Sequence, residues 1–232
     1  MQRVTLVAWA LAVCGVGSGV HAQDTSATRA REPIVGLPCE GCESVFEGLP
    51  ETLATNARIA PPDEPGEAMR IAGNVLDGDG RPAPGVIVYA YHTDARGVYP
   101  TDERLKGTAA FRHGRLRGWA RTDEQGHYRF ETMRPAGYPN TRLPAHVHMH
   151  VIEVGHCTYY IDDVLFEDDP RLTPEKIQQL TAGRGGSGVV MPQRDASGVW
   201  IVTRDIVLGE RIPAYQEAAR RSDSAGEPTP RR

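Results

Sequence analysis

Between residues 71 and 208 the chain runs in short segments of alternating apolar and polar positions, each followed within a few residues by Gly, Pro or Asp. A period of two marks β-strands, because successive side chains leave opposite faces. The pattern predicts strands over 71–76, 85–91, 118–122, 127–132, 144–154, 158–166, 189–191 and 199–208. Asp77-Gly78-Asp79-Gly80 reads as a turn whose glycines permit positive φ, and Asp123-Glu124-Gln125-Gly126 as a hairpin signal. One helix is expected, capped by Thr173, with Pro174 in its first turn and Gly183 ending it after Ala182. These short strands and one short helix predict an all-β fold, a sandwich of mostly antiparallel strands.

The flanks differ in texture. Arg3 followed by the uncharged, apolar or small stretch from Val4 to Gly19, then Val20-His21-Ala22, reads as a secretory signal peptide over residues 1–22. The apolar stretch is short for a membrane span, so no span is expected in the mature chain. Leu11-Ala12-Val13-Cys14 only partly fits a lipoprotein box, since Val13 is bulky where a small residue belongs. Residues 23–66 are rich in Pro, Gly, Glu and Ala and read as an extended arm. The main domain is placed at 67–212 and a charged tail, loose beyond Arg221, at 213–232.

With 232 residues, 40% of them hydrophobic, the chain can build one ordinary core. Without residues 1–22 it carries 25 basic against 30 acidic residues, a mildly acidic balance that gives no reason to expect nucleic acid. Cys39-Glu40-Gly41-Cys42 is a CxxC that suits a redox pair, half a zinc site or a local disulfide. Export to the periplasm or the medium favours the disulfide and leaves Cys157 unpaired and buried.

The candidate chemistry lies near residue 140. On a strand from Pro144, His146, His148 and His150 share one face, and Tyr138 precedes them closely enough to supply an oxygen donor. Two imidazoles two residues apart make half a metal site. Upstream, Tyr99 is a second candidate donor, with Tyr89 and Tyr91 as rivals on the preceding strand. His150 is expected behind the metal ligands or facing the substrate. Each tyrosine also has a structural reading as a packed ring with a satisfied hydroxyl.

Taken in order, four segments resemble the catalytic domain of the intradiol ring-cleavage dioxygenases: GNVLDGDGRPAPGVIVYAYHTDARGVY, GWARTDEQGHYRFETMRPAGYP, PAHVHMHV and LFEDDP. The resemblance implies a mononuclear, non-haem Fe(III) held by Tyr99, Tyr138, His146 and His148, with no organic cofactor. It implies a catechol-type aromatic and O2 as substrates, and a muconate-type diacid as product. It also implies that Tyr138 leaves the iron when the catechol chelates and takes up one of its protons. Phenolate oxygen suits a hard ferric cation, and imidazole is an acceptable borderline ligand. Many family members carry an arginine directly before Pro-Ala-His. Here Leu143 stands there, and Arg142, one place earlier, is the candidate for that role. The family's glutamine near this region is also absent, the segment reading Tyr160-Ile161-Asp162-Asp163-Val164.

Two other readings compete. His146-Val147-His148 with Glu153 meets part of a cupin pattern, but Glu153 faces away from the histidines on an unbroken strand. The first segment alone would fit a transthyretin-like binding module equally well. Assembly into a homo-oligomer is left open by the sequence.

Overall fold

The computed structural model describes residues 32–39, 41–180 and 183–218. The leader at 1–22 and the tail beyond Arg221 lie outside these residues. In chain order the strands are β1 (Asn56–Arg58), β2 (Ala68–Leu76), β3 (Ile87–His92), β4 (Arg117–Arg121), β5 (His127–Met133) and β6 (His146–Glu153). They continue as β7 (Cys157–Phe166), β8 (Val189–Val190), β9 (Gln193–Arg194), β10 (Trp200–Thr203) and β11 (Ile206–Val207). One sheet runs β1-β5-β2-β10-β9 with β11 also on β2, and the other runs β4-β3-β6-β7-β8. The long ladders β2–β5, β3–β6 and β6–β7 are antiparallel. Four short ones, at β1–β5, β2–β10, β2–β11 and β7–β8, are parallel.

Alternation explains the layering. Met69, Ile71 and Val75 of β2 and Tyr128 and Phe130 of β5 are buried while their neighbours are less so. They share one core cluster with Val88 and Ala90 of β3 and Val147, Met149 and Val151 of β6. This is the all-β sandwich that the pattern predicts. β3 departs from simple alternation, because all six of its residues are buried. Its even face belongs to the core, whereas Ile87, Tyr89 and Tyr91 form a second cluster with Val45 and, at its margin, Trp119. The outer face of this sheet is therefore covered by chain from the N-terminal region, and that cover positions the site.

Residues 32–39 and 41–66 are more ordered than an extended arm. Val35 N donates to Thr158 O at 2.9 Å, β1 pairs with β5, and Ile59 and Ala60 enter the core. A 3-10 turn, Cys42–Phe46, packs Val45 against the sheet. The expected strand over 199–208 divides into β10 and β11 at Arg204, which is fully buried. The Arg204 guanidinium donates to the carbonyls of Gly185, Gly186 and Asp205, and at 3.4 Å to those of Asp162 and Arg184. The predicted α-helix, α1 (Pro174–Gln179), starts as expected, with Thr173 Oγ1 accepting from Lys176 N at 3.4 Å. It stops early, where Leu180 N turns to Ile177 O in a tighter bond. Among the described residues no helix is long and apolar enough to cross a membrane.

Candidate metal centre

β6 carries His146, His148 and His150 on its outer face, because Val147, Met149 and Val151 between them fill the core. The two tyrosines arrive on loops. Gly97-Val98-Tyr99 and Gly137-Tyr138 touch back to back: a Cβ on Gly97, whose φ is +78°, would lie 2.2 Å from Gly137 O. Only glycine allows that approach. Ala136 N donating to Asp94 O at 3.1 Å and Thr93 Oγ1 donating to Ala136 O at 2.7 Å tie the loops together. Downstream, Asp169 Oδ2 accepts from Ala145 N at 2.7 Å and fixes the turn into β6.

Four donor atoms converge. Tyr99 Oη is 2.7 Å from Tyr138 Oη and 2.9 Å from His148 Nε2. Tyr138 Oη is 3.3 Å from His146 Nε2 and 3.5 Å from His148 Nε2, and the two Nε2 atoms are 3.2 Å apart. The hydrogen bonds behind the rings set their tautomers. His146 Nδ1 faces Pro144 O at 2.8 Å, an atom that only accepts, so Nδ1 carries the proton. His148 Nδ1 likewise donates to Asp163 Oδ1 at 3.0 Å. Both Nε2 lone pairs therefore point at one spot and at each other, an arrangement that a cation between them relieves. Ligands at about 2.0–2.1 Å from a common centre are separated by about 3.3 Å in a tetrahedral array. The measured separations lie around that value, so the residues present fit a single first-row metal ion.

Electrostatics agree with that fit. Burial, then the hydrogen bond shared with Tyr138, pushes the Tyr99 phenol well above its ordinary value. Two phenols 2.7 Å apart cannot both ionise without a nearby positive charge. Burial, then His148, lowers His146, which keeps its imidazole neutral and able to ligate.

Ring contacts back the cluster. Tyr91 stacks on His148 at 4.5 Å between centroids and on His113 at 3.7 Å. Tyr89 Oη lies 2.7 Å from His113 Nδ1. Tyr89 thus turns its hydroxyl to His113, and the Tyr91 ring holds the His113 and His148 rings in place. His150 is buried and lines the same cleft as the ligands, its Nδ1 3.5 Å from Cys42 Sγ. The cleft in front of the cluster has a volume of about 900 Å³. Its wall includes Tyr138, His148, Asp163 and Tyr160, together with Arg112 and Glu43.

Arg142 is not brought to this cleft. Thr141 Oγ1 donates to Tyr138 O at 3.1 Å and Asn140 takes positive φ, which turns the loop so that Arg142 is exposed. Its carbonyl accepts from Lys176 Nζ at 2.7 Å. The cation on the cleft wall is Arg112, from the 3-10 turn Ala109–His113, which has no distinctive sequence setting. Sequence reasoning also passed over Asp163 as a partner of His148. Glu153 faces away from the cluster, accepting from Tyr159 Oη at 2.6 Å and Tyr215 Oη at 3.0 Å.

Residues 45–195 match the family model described as Dioxygenase, well over half of the chain. The catechol 1,2-dioxygenase of Acinetobacter baylyi is 30% identical over 125 residues, 47% of this chain and 39% of that protein. The protocatechuate 3,4-dioxygenase beta chain of Burkholderia cepacia is 28% identical over 130 residues, 50% and 52% respectively. The chain thus spans about half or less of these relatives' length. Among solved structures, the catechol 1,2-dioxygenase of Acinetobacter radioresistens gives a TM-score of 0.52 at 21% identity, over 76% of this chain and 61% of that one. The dioxygenase domain of a carbohydrate-binding fusion from Streptomyces sp. SirexAA-E gives 0.50 at 21%, over 70% and 94%. These structural likenesses show a shared fold. By the family match, the chain belongs to the intradiol ring-cleavage dioxygenases, a family of oxidoreductases.

Proposed function

We propose that the protein is a ferric intradiol dioxygenase that opens a catechol-type ring between its two hydroxyl-bearing carbons. The supporting observation is the convergence of Tyr99 Oη, Tyr138 Oη, His146 Nε2 and His148 Nε2. These four residues would hold the iron. A ferric ion bound there would supply Lewis acidity, drawing electron density from a catechol ligated through both oxygens and opening its ring to O2. Both oxygen atoms enter the product, and catechol plus O2 gives a muconate-type diacid with no atom left over.

The chain's own groups do the rest. Asp163 holds the Nδ1 proton of His148 and keeps its ring in line. Tyr138, like Tyr99, stands on a loop, and it is the one that would withdraw and accept a catechol proton, as the family resemblance implies. Arg112 lines the cleft, and we assign to it the stabilisation of a developing anionic oxygen, the role that the sequence suggests for Arg142. The disulfide at Cys39–Cys42 supports the reading of an exported protein in an oxidising compartment.

Purified protein is expected to be coloured and to hold about one iron per chain. It is expected to consume O2 with at least one of catechol, protocatechuate or hydroxyquinol. Zinc in place of iron, or colour that survives loss of both tyrosines, contradicts the ferric reading.

A further inference from the structure

The ring-cleavage reading makes no use of Cys39 and Cys42, which are joined by a disulfide across a sequence separation of 3. Stabilisation by a cross-link grows with the logarithm of the loop it closes, so this bond does little for the fold as a whole. Its effect is local, and its locality is the cleft. Pro38, Gly41, Glu43 and Ser44 line the same cavity as Tyr99, Tyr138 and His148. Cys42 is fully buried, with Sγ 3.5 Å from Nδ1 of His150. Gly41 has φ +79°, and a Cβ there would lie 2.5 Å from His113 Nε2. The cross-linked turn thus rests on the ring that stacks on Tyr91, which in turn stacks on His148. Beyond the turn, Val45 O accepts from Trp119 Nε1 at 2.8 Å and anchors the segment to β4.

We propose that the Cys39–Cys42 disulfide is a redox latch on the wall of the aromatic-binding cleft. Closed, it holds Pro38 and residues 41–44 against His113 and His150 and shapes the cavity around a flat ring. Opened, it releases that wall while the donor cluster, carried by β6 and the two glycine-bearing loops, stays in place. The chemistry is thiol–disulfide exchange with a dithiol. A thiolate of the reductant attacks Cys39 Sγ, the partly exposed sulfur, and the S–S bond breaks with Cys42 as leaving group. The reductant's second thiol then displaces Cys39. Two protein thiols and one oxidised dithiol result, both electrons coming from the reductant. The ligand in this proposal, though not the latch itself, rests on the ring-cleavage reading.

The test compares oxidised protein, protein reduced with a dithiol and freed of it, the same sample reoxidised, and the Cys39→Ser/Cys42→Ser variant. Amide hydrogen exchange is expected to quicken about tenfold or more in peptides over 41–49 on reduction, to stay unchanged over 146–153, and to revert on reoxidation. In parallel, the dissociation constant for catechol under nitrogen, read from the ferric–phenolate absorption, is expected to rise about tenfold. KM should follow it, with kcat changing by less than about threefold. Exchange over 41–49 that ignores the redox state overturns the latch, as does an unchanged catechol affinity. If the oxidised protein binds no catechol at all, the ring-cleavage reading fails while the exchange measurement still decides the latch. Gly41→Ala, which crowds His113 without touching a thiol, should raise KM in the same direction.

Discussion

The two ends of β6 carry similar side chains and use them in opposite ways. At one end His146 and His148 meet Asp163, Tyr99 and Tyr138. At the other, Glu153 meets His156, Cys157, Tyr159 and Tyr215. By residue type both are metal-binding candidates. At the first end the outer nitrogens are occupied by Pro144 O and Asp163, so lone pairs are left facing one another across 3.2 Å. At the second, each carboxylate oxygen of Glu153 accepts a phenolic proton. Burial raises the Cys157 thiol to about 12 and keeps it protonated. The first end turns its lone pairs on a common centre that suits a cation, whereas the second is already satisfied by protons. Orientation of donors and acceptors, more than the residues gathered, separates a binding centre from a buttress.

That contrast can be broken in graded steps. The largest effect is expected from His148→Ala, which removes one of the convergent atoms. Iron content should fall below about a tenth of wild type and ring cleavage to background, read by metal analysis and O2 uptake. Asp163→Asn keeps the shape but turns an obligate acceptor into a group that must be oriented. About 10–100-fold weaker iron binding is expected, and unchanged affinity in a chelator competition would remove Asp163 from the design.

A smaller effect comes from acid. Burial holds wholly buried His92 down at about 4, and burial with Arg117 and His148 holds His113 at about 3. In the unfolded chain both protonate near the ordinary value of about 6.5. Below that pH the unfolded state binds protons that the folded state refuses. Stability should therefore be intact above about 6.5 and decline as pH falls toward 4. A urea midpoint equal at about pH 5 and about pH 7 would contradict it. At the other end of β6, Glu153→Ala should cost about 1–3 kcal/mol by stranding the Tyr159 hydroxyl, with iron content untouched. Loss of iron in that variant would mean the two ends are not independent.

Much of this was legible in the alternation. The histidines at 146, 148 and 150 fall on one face because nothing interrupts β6, and the turn glycines and the helix cap lie where local chemistry puts them. Asp163 was hidden by a break in that rule. Between β6 and β7 the register shifts: Val147 faces Val164 while Met149 faces Ile161, so two β7 residues stand opposite His148. An extra residue in one strand reverses which side chains face the cleft, and a strict period of two cannot foresee it. The arm at 32–66 was illegible for another reason. Its order comes from contacts far along the chain, such as Trp119 with Val45 and β1 with β5, and not from its own periodicity. Arg142 misled because adjacency in sequence says little about a loop whose direction is set by Thr141 and Asn140.

Arg204 bears on how the molecule meets its surroundings. Surface pairs such as Arg81 with Asp79 lie open to dissolved ions, which screen charge beyond about 8 Å at physiological salinity and over shorter distances in brine. The Arg204 guanidinium sits out of their reach and is gripped by peptide carbonyls from 162, 184, 185, 186 and 205. As salinity rises the surface pairs fade, but the clasp between β7, the 184–186 loop and the β10–β11 junction keeps its hold.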